Sequence, residues 1–266
     1  MTKYLFNNLK HLEIFKNDPS TAILTDIDGT ISEIAPTPEE AVVTDSMRKE
    51  LVKLKEKFSL VAVISGRSVK NAREMVGVEG ILYVGNHGME FLKDNHLIRN
   101  PEAEKYLSQI KKAGEKVKTS DLSHINGLIF EDKGICYSIH YRLSNPSENA
   151  RDKILNLLHN DPECKKLGIS EGRELVELKP PVSCDKGTII NNIVEQHNLQ
   201  KVIYLGDDIT DADAFNKLNE LENKRKIKSA SVLVLSSEIP PYVKKRSSFF
   251  VNGVDDVLKF FQWLLK

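Results

Sequence analysis

Cysteine is scarce in this chain of 266 residues: there are three, Cys136, Cys164 and Cys184, odd in number and far apart. No Cys-x-x-Cys pair exists, so neither a disulfide framework nor a thiolate zinc site is expected, and the usage fits a reducing cytosol. Net charge is lacking too. Thirty-eight Lys and Arg balance thirty-eight Asp and Glu, which leaves no electrostatic footprint for nucleic acid or an anionic membrane. Two short basic runs, ENKRKIK and VKKRSS, read as solvated surface. No apolar run approaches the length of a membrane span. The N-terminus lacks the basic-then-apolar signature of a secretion signal, and no internal repeat or low-complexity tract is visible. The expectation is a cytoplasmic monomer with no nucleic-acid or membrane partner. Hydrophobic residues make up 40% and charged residues 29%, the usage of a globular protein with a core.

What is there is a β then α alternation. TAILTD, SLVAVIS and GILYVGNHG read as buried strands. Between them, Met47, Leu51, Leu54 and Phe58 mark one helix face, and SVKNAREMV reads as a second helix. GMEFLKDNHLIRN has the look of a hairpin turning at Asp94-Asn95. Leu5, Leu9, Leu12 and Phe15 recur at helical spacing, so the N-terminus is expected to be a packing helix.

From about residue 100 to 180 the pattern changes. A helix carrying Ala103, Tyr106, Ile110, Ala113 and Val117 precedes two strands in GLIFEDKGICYSIHYR. A second helix with Ile154, Leu157 and Leu158 precedes a strand pair in LGISEGRELVELK, turning near Glu171-Gly172. Short turns imply antiparallel pairing, hence an α+β region. After KPPVS the first style returns through DKGTIINNIVEQH, KVIYLGDD, DADAFNKLNEL, ASVLVLS, SFFVNG and a closing helix. The expected fold is an α/β, Rossmann-like parallel-sheet core, residues 1–99 and 181–266, with an inserted α+β cap domain, residues 100–180.

In open parallel sheets ligands bind beyond the carboxyl ends of the strands, and the unusual polar clusters sit at those ends. The first strand delivers Asp26, Asp28 and Thr30; the second Ser65, Gly66 and Arg67; the third Gly85, Asn86 and His87. A later strand delivers Asp207 and Asp208, with Asp211 one helical turn on, and Lys186 opens the helix after the proline pair. Several carboxylates on one rim require a cation, because each like-charged pair at about 4 Å costs on the order of 4 kcal/mol at an effective dielectric near 20. An all-oxygen donor set points to Mg²⁺. Such a site can carry phosphoryl transfer with an Asp as nucleophile.

Asp-Ile-Asp-Gly-Thr, the later Ser-Gly, the Lys and Gly-Asp-Asp-Ile-Thr-Asp together resemble the haloacid-dehalogenase-like phosphatases. The four fixed positions of Asp-x-Asp-Gly-Thr match by chance about once in 10⁵ starts. The resemblance implies Asp26 as the nucleophile that forms an aspartyl-phosphate. It implies Asp28 as general acid and then base, its backbone carbonyl touching the metal, with Thr30 positioning it. Ser65 donates to a phosphoryl oxygen, and Lys186 holds phosphate and nucleophile together. Asp207 is a second carboxylate on Mg²⁺, and Asp211, or less readily Asp208, is a ligand or a neighbour of one.

Longer stretches resemble trehalose-6-phosphate phosphatases over nearly the whole chain: LTDIDGTISEIAPTPEEAVV, VISGRS, GNHGME, SIHYR, ELVELKP and GDDITDADAF. Ala212 departs from the Glu common there, and Asp185 from an expected Ser. The resemblance implies hydrolysis of trehalose 6-phosphate, and Ser65, Gly66, Arg67 and His87 at the strand ends are expected to bind the substrate. Glu177, and with less support Arg142 and His140, are expected sugar contacts from the cap. Alternatives are a phosphatase of another sugar phosphate, such as mannosylglycerate or sucrose phosphate, and a non-catalytic sugar-phosphate sensor.

Overall fold

A computed structural model of the chain describes residues 2–93, 96–236 and 239–266. Strand β1 (Lys3–Tyr4) opens the chain and β2 (Thr21–Thr25) follows after two short 3-10 turns, Leu5–Asn7 and Leu9–His11. The expected N-terminal helix is therefore not formed. Pairing of Lys3 and Tyr4 with Phe249 and Phe250 takes the first residues into the sheet, and Asn8 at φ −133° breaks the turn between the two 3-10 segments. The apolar residues that suggested a helix still pack: Leu5, Leu12 and Phe15 are buried.

Next come α1 (Asp45–Lys57), β3 (Leu60–Ile64), α2 (Val69–Val76), β4 (Leu82–Gly85), β5 (Glu90–Lys93) and β6 (His96–Arg99). The Thr44 hydroxyl accepts the Met47 amide at the start of α1, and Ser68 does the same for Asn71 at α2, so both helices are stopped from fraying by side-chain caps. Gly77 in the left-handed region ends α2, where a side chain would be strained. The turn at Asp94-Asn95 lies outside the described residues.

The next segment holds α3 (Pro101–Glu104), α4 (Leu107–Lys118), β7 (Ile129–Asp132), β8 (Tyr137–His140), α5 (Ser147–Asn160), β9 (Gly168–Gly172) and β10 (Leu175–Lys179). One expected helix is thus two, α3 and α4, parted at Lys105-Tyr106. The Leu175↔Gly172 register puts the β9–β10 turn at Arg173-Glu174, two residues beyond the expected place. Glu174 there takes φ 53°. The chain then continues through α6 (Lys186–Gln196), β11 (Lys201–Gly206), α7 (Asp211–Asn223), β12 (Lys228–Val234), α8 (Pro241–Lys244), β13 (Phe249–Val251) and α9 (Val254–Leu265).

Two compact units result: Met1–Ile98 with Cys184–Lys266, and Arg99–Ser183. The first is built on a nine-stranded sheet in the order β1-β13-β12-β11-β2-β3-β4-β5-β6, parallel from β1 to β4 and antiparallel between β4 and β5. One face buries Met47, Leu51 and Leu54 of α1 with Val257, Phe260 and Phe261 of α9. The other buries Ile190 and Ile193 of α6 with Phe215 and Leu218 of α7. Covered on both faces, the central strands are apolar throughout, as β2 (buried at all five positions) shows. The second unit is an antiparallel sheet, β7-β8-β10-β9, whose Ile139, Val176 and Leu178 pack on Ile110, Val117, Ile154 and Leu158 of α4 and α5. This is the expected α/β core with an α+β insertion. Among the described residues, no helix is long and apolar enough to cross a membrane.

Candidate active site

At the C-terminal end of β2 the chain leaves the sheet in a tight loop. The Ile27 carbonyl accepts the amides of Thr30, Ile31 and Ser32, and Gly29 takes φ 75°. Glycine is required here twice over. The backbone is left-handed, and a Cβ would stand 2.0 Å from Asp207 Oδ2. The Asp207 carboxylate, delivered by the neighbouring strand β11, therefore lies directly against this loop, far from it in sequence.

Three carboxylates converge. Asp26, Asp207 and Asp211 are all buried, and each offers an oxygen within 4.8 Å of the others. Lys186 is buried with them. Its ammonium donates to Asp26 Oδ2 at 2.6 Å and to Asp211 Oδ1 at 2.6 Å. It reaches them from the first turn of α6, fixed by Asp185, whose Oδ1 accepts the Thr188 amide at 2.7 Å. A Ser at 185 would cap in the same way, which makes that departure from the family pattern chemically mild.

The charge balance of this cluster is negative, three carboxylates against one ammonium. Burial raises the Asp26 carboxyl to about 7; the Lys186 ammonium pulls it down, and the Asp211 carboxylate pushes it up again. Burial also works against the Lys186 charge, but Asp211 and Asp26 outweigh it and hold the ammonium well above its ordinary pKa. The site thus keeps its lysine charged and still disfavours a third anion. An oxygen-rich, buried, net negative cluster of this kind suits a divalent cation, which would supply the missing charge.

Asp28 stands apart from the three. Its carboxylate is gripped by Arg67 in a fork, Nε to Oδ2 at 2.7 Å and Nη2 to Oδ1 at 2.7 Å. Arg67 is itself steered by the Pro38 carbonyl at 3.0 Å and Asn71 Oδ1 at 2.7 Å. The hold on Asp28 comes from Arg67 and not from Thr30, whose buried hydroxyl finds no hydrogen-bond partner among the described residues. Asp208 is also outside the cluster; its Oδ1 accepts the Ile209 amide.

Ser65, Gly66 and Arg67 form the loop after β3. The Ser65 hydroxyl accepts the Arg67 amide at 3.2 Å, so its own proton is the one it can donate. The turn after β4 packs on this loop: Asn86 N donates to the Arg67 carbonyl and His87 N to the Ser65 carbonyl. Asn86 and His87 both have positive φ, 48° and 54°. A Cβ at Gly66 would meet the His87 ring at 2.7 Å, so the glycine is what admits the imidazole. Two consecutive non-glycine residues in the left-handed region carry backbone strain, and here that strain sets His87 against the loop.

Arg142 and Glu177 belong to the second unit. Arg142 pairs locally with Glu174 at 3.1 Å. Glu177 on β10 is buried and accepts from Lys133 at 3.0 Å and from Ser138 at 3.0 Å. Glu131 lies 4.0 Å from Lys133 and 2.8 Å from His140. Burial disfavours the Lys133 charge, yet Glu177 and Glu131 more than offset it and raise its pKa above the ordinary lysine value. Sequence reasoning missed Lys133 and Glu131; the period-2 alternation that sets Glu131 and Ser138 in register was the available signal.

The architecture and this strand-end site define the class. Two solved structures share the fold: the Candida albicans trehalose-6-phosphate phosphatase C-terminal domain, 21% identical with TM-score 0.79 over 99% of this chain and 98% of that one, and a haloacid dehalogenase-like hydrolase from Bacteroides thetaiotaomicron, 13% identical with TM-score 0.63 over 91% and 98%. The fold is that of the haloacid-dehalogenase-like hydrolases. The family follows from sequence: residues 24–254 match the trehalose-phosphatase family model, and the chain belongs to that family. A trehalose-phosphate phosphatase of Mycobacterium ulcerans is 34% identical over 204 residues, 74% of this chain and 51% of that protein. The chain spans about half the length of this mycobacterial relative.

Proposed function

We propose that the chain is a Mg²⁺-dependent phosphatase that hydrolyses trehalose 6-phosphate to trehalose and inorganic phosphate. The observation that carries this reading is the Lys186 ammonium held 2.6 Å from Asp26 Oδ2 in a buried cluster that remains net negative. We read the Met1–Ile98 and Cys184–Lys266 unit as a catalytic core and Arg99–Ser183 as an inserted cap.

In this mechanism Asp26 attacks phosphorus, the ester P–O bond breaks, and the leaving sugar oxygen takes a proton from Asp28. Asp28 then takes a proton from water, the water oxygen attacks the aspartyl-phosphate, and Asp26 is released with inorganic phosphate. The Arg67 fork fixes where the Asp28 carboxyl group stands. Lys186 neutralises the nucleophile and a phosphoryl oxygen, so two anions can approach each other. The Ser65 proton is directed to a second phosphoryl oxygen. Asp26, Asp207 and the Asp28 carbonyl, with Asp211 behind them, would hold Mg²⁺. When bound, the ion supplies positive charge against the phosphate oxygens.

Sugar selection is assigned to the polar residues around Glu177. Carboxylates and an ammonium, pre-set by mutual hydrogen bonds, can exchange those bonds for sugar hydroxyls with little loss. The test is a panel of phosphate esters at equal concentration with Mg²⁺. Trehalose 6-phosphate should give the highest kcat/KM. A stronger preference for another sugar phosphate overturns the substrate, and absence of Mg²⁺-dependent phosphate release from every ester overturns the enzyme.

A further inference from the structure

The Arg67 side chain is 9% exposed, and its guanidinium serves more than Asp28. Nε and Nη2 make the fork to the carboxylate. Nη1 turns the other way, to Asn71 Oδ1 at 2.7 Å and to the Pro38 carbonyl at 3.0 Å. These two acceptors belong to separate pieces of chain. Asn71 stands in the first turn of α2. Pro38 lies in the stretch 33–42, which has no helix or strand of its own. That stretch is closed at its base by Ser32, whose hydroxyl donates to the Val42 carbonyl at 2.9 Å and which bridges to Val43.

Asn71 is the residue whose identity the fold leaves unexplained. It is half-buried, and α2 does not need its side chain, because the Ser68 hydroxyl already caps the helix by accepting the Asn71 amide. Ala, Glu or Lys would form this helix better. What the Asn71 side chain adds is an oxygen at the back of the Arg67 fork. A guanidinium is planar and carries only donors. With its near edge on a carboxylate and its far edge on two anchored oxygens, it is prevented from tilting. Without Asn71 Oδ1, the far edge loses an acceptor in a nearly buried place. The group then turns to recover a partner, and Asp28 turns with it.

We propose that Asn71 is a positioning residue: it braces the Arg67 guanidinium together with the 33–42 loop, and through Arg67 it fixes the direction from which Asp28 delivers its proton. This inference rests on the phosphatase reading, in which Asp28 protonates the leaving oxygen.

The test compares wild type, Asn71→Ala, Asn71→Asp and Arg67→Lys on two esters that differ only in a nitro group, p-nitrophenyl phosphate and phenyl phosphate. Phenoxide is the stronger base and leaves less readily without a proton. The kcat/KM for phenyl phosphate therefore reads the placing of the acid, and p-nitrophenyl phosphate is the reference. In Asn71→Ala the ratio of the two values should move about 10-fold against phenyl phosphate, as loss of one hydrogen bond to a charged group does. Asn71→Asp keeps an acceptor in place and should hold the ratio within about 2-fold of wild type. Ala is the better helix former, so the variant should fold, and a merely less stable protein lowers both values alike. A wild-type ratio in Asn71→Ala overturns the proposal, and so does a ratio in Asn71→Asp as disturbed as that of Asn71→Ala. A second readout does not use turnover. The Arg67 Nε–H resonance, identified by its disappearance in Arg67→Lys, should exchange with solvent about 10-fold faster in Asn71→Ala than in wild type or Asn71→Asp. Equal exchange rates overturn the brace. A wild-type protein that hydrolyses neither ester sinks the phosphatase reading and leaves the exchange rates to decide whether Asn71 holds Arg67.

Discussion

Two buried lysines, one in each unit, are set between pairs of carboxylates. Lys186 bridges Asp26 and Asp211, and Lys133 stands between Glu177 and Glu131. The likeness ends at the surroundings. The first group gathers residues from the end of β2 and the starts of α6 and α7, far apart in sequence, and adds Asp207 after β11 to make the sum negative. The second lies on one hairpin and its neighbour strand, with Ser138 opposite both Glu131 and Glu177, and its charges come closer to balance. A net negative cluster calls for a cation and, through it, an anionic substrate. The second, two carboxylates against one ammonium, has less charge to settle and hydrogen bonds to exchange, which suits a neutral polyol. Under the proposed function, the first cluster serves the phosphate and the second is assigned to the sugar.

The comparison breaks most sharply at Asp26. Asp26→Asn keeps volume and removes the nucleophile, so phosphate release from any ester should fall by at least ~10⁴-fold, with circular dichroism unchanged. Activity within tenfold of wild type would sink the mechanism. A smaller and selective effect belongs to the other lysine. Glu177→Gln keeps the side-chain size and loosens Lys133. It should lower kcat/KM for trehalose 6-phosphate about 30-fold and leave p-nitrophenyl phosphate within about 3-fold. Equal losses on both substrates would show that the two clusters do not divide the labour.

These two clusters also differ in how far the sequence exposes them. Asp26 and Asp207 stand where apolar strands stop and Lys186 at a helix start, in short motifs with glycines that the loop geometry demands, so their convergence could be read from the order of the elements. Lys133 sits in a polar turn, EDKG, where a lysine is unremarkable by composition. Only the closing of the β7–β8 hairpin and its pairing with β10 bring it against Glu177. Tyr204, whose hydroxyl donates to Asp211, is hidden for the opposite reason, since a Tyr inside an apolar strand reads as core and the hydroxyl has no period of its own. In the fold, the strands and long helices were legible because their periodicity spans many residues. The N-terminal segment was not, because Leu5, Leu9, Leu12 and Phe15 satisfy a helical spacing while the first residues gain more by pairing with β13.

Metal binding sharpens the comparison further. If Mg²⁺ binds only the folded cluster, at 100 times its Kd it adds ~2.7 kcal/mol, a Tm increase of roughly 5–10 °C for a protein of this size. Scanning calorimetry with and without chelator should show this in wild type and in Glu177→Gln, and not in Asp207→Asn. A shift lost in Glu177→Gln would tie the metal to the wrong cluster.

The smallest effect is one of pH, and its sign separates the clusters in the absence of metal. The Asp26 carboxyl is raised to about 7, chiefly by burial, so folding favours its protonated form. That contribution is fully present below the ordinary Asp pKa near 3.8 and is lost as pH rises through about 7. In chelator, wild-type Tm should therefore carry a falling component between pH 4 and pH 7 that Asp26→Asn, which cannot ionise, does not show. The variant should be the more stable protein by a few degrees at pH 8, the gap closing toward pH 4. Lys133 adds nothing in this window, because its pKa is raised above the ordinary lysine value and both folded and unfolded forms stay charged; a Lys133→Met variant should keep the wild-type slope. With Mg²⁺ present the balance reverses, since a cation beside Asp26 favours the carboxylate and draws its pKa down. Wild type should then gain stability as pH rises and overtake Asp26→Asn. An Asp26→Asn curve parallel to wild type in chelator would mean that Asp26 is already ionised there, and that Lys186 alone balances the cluster.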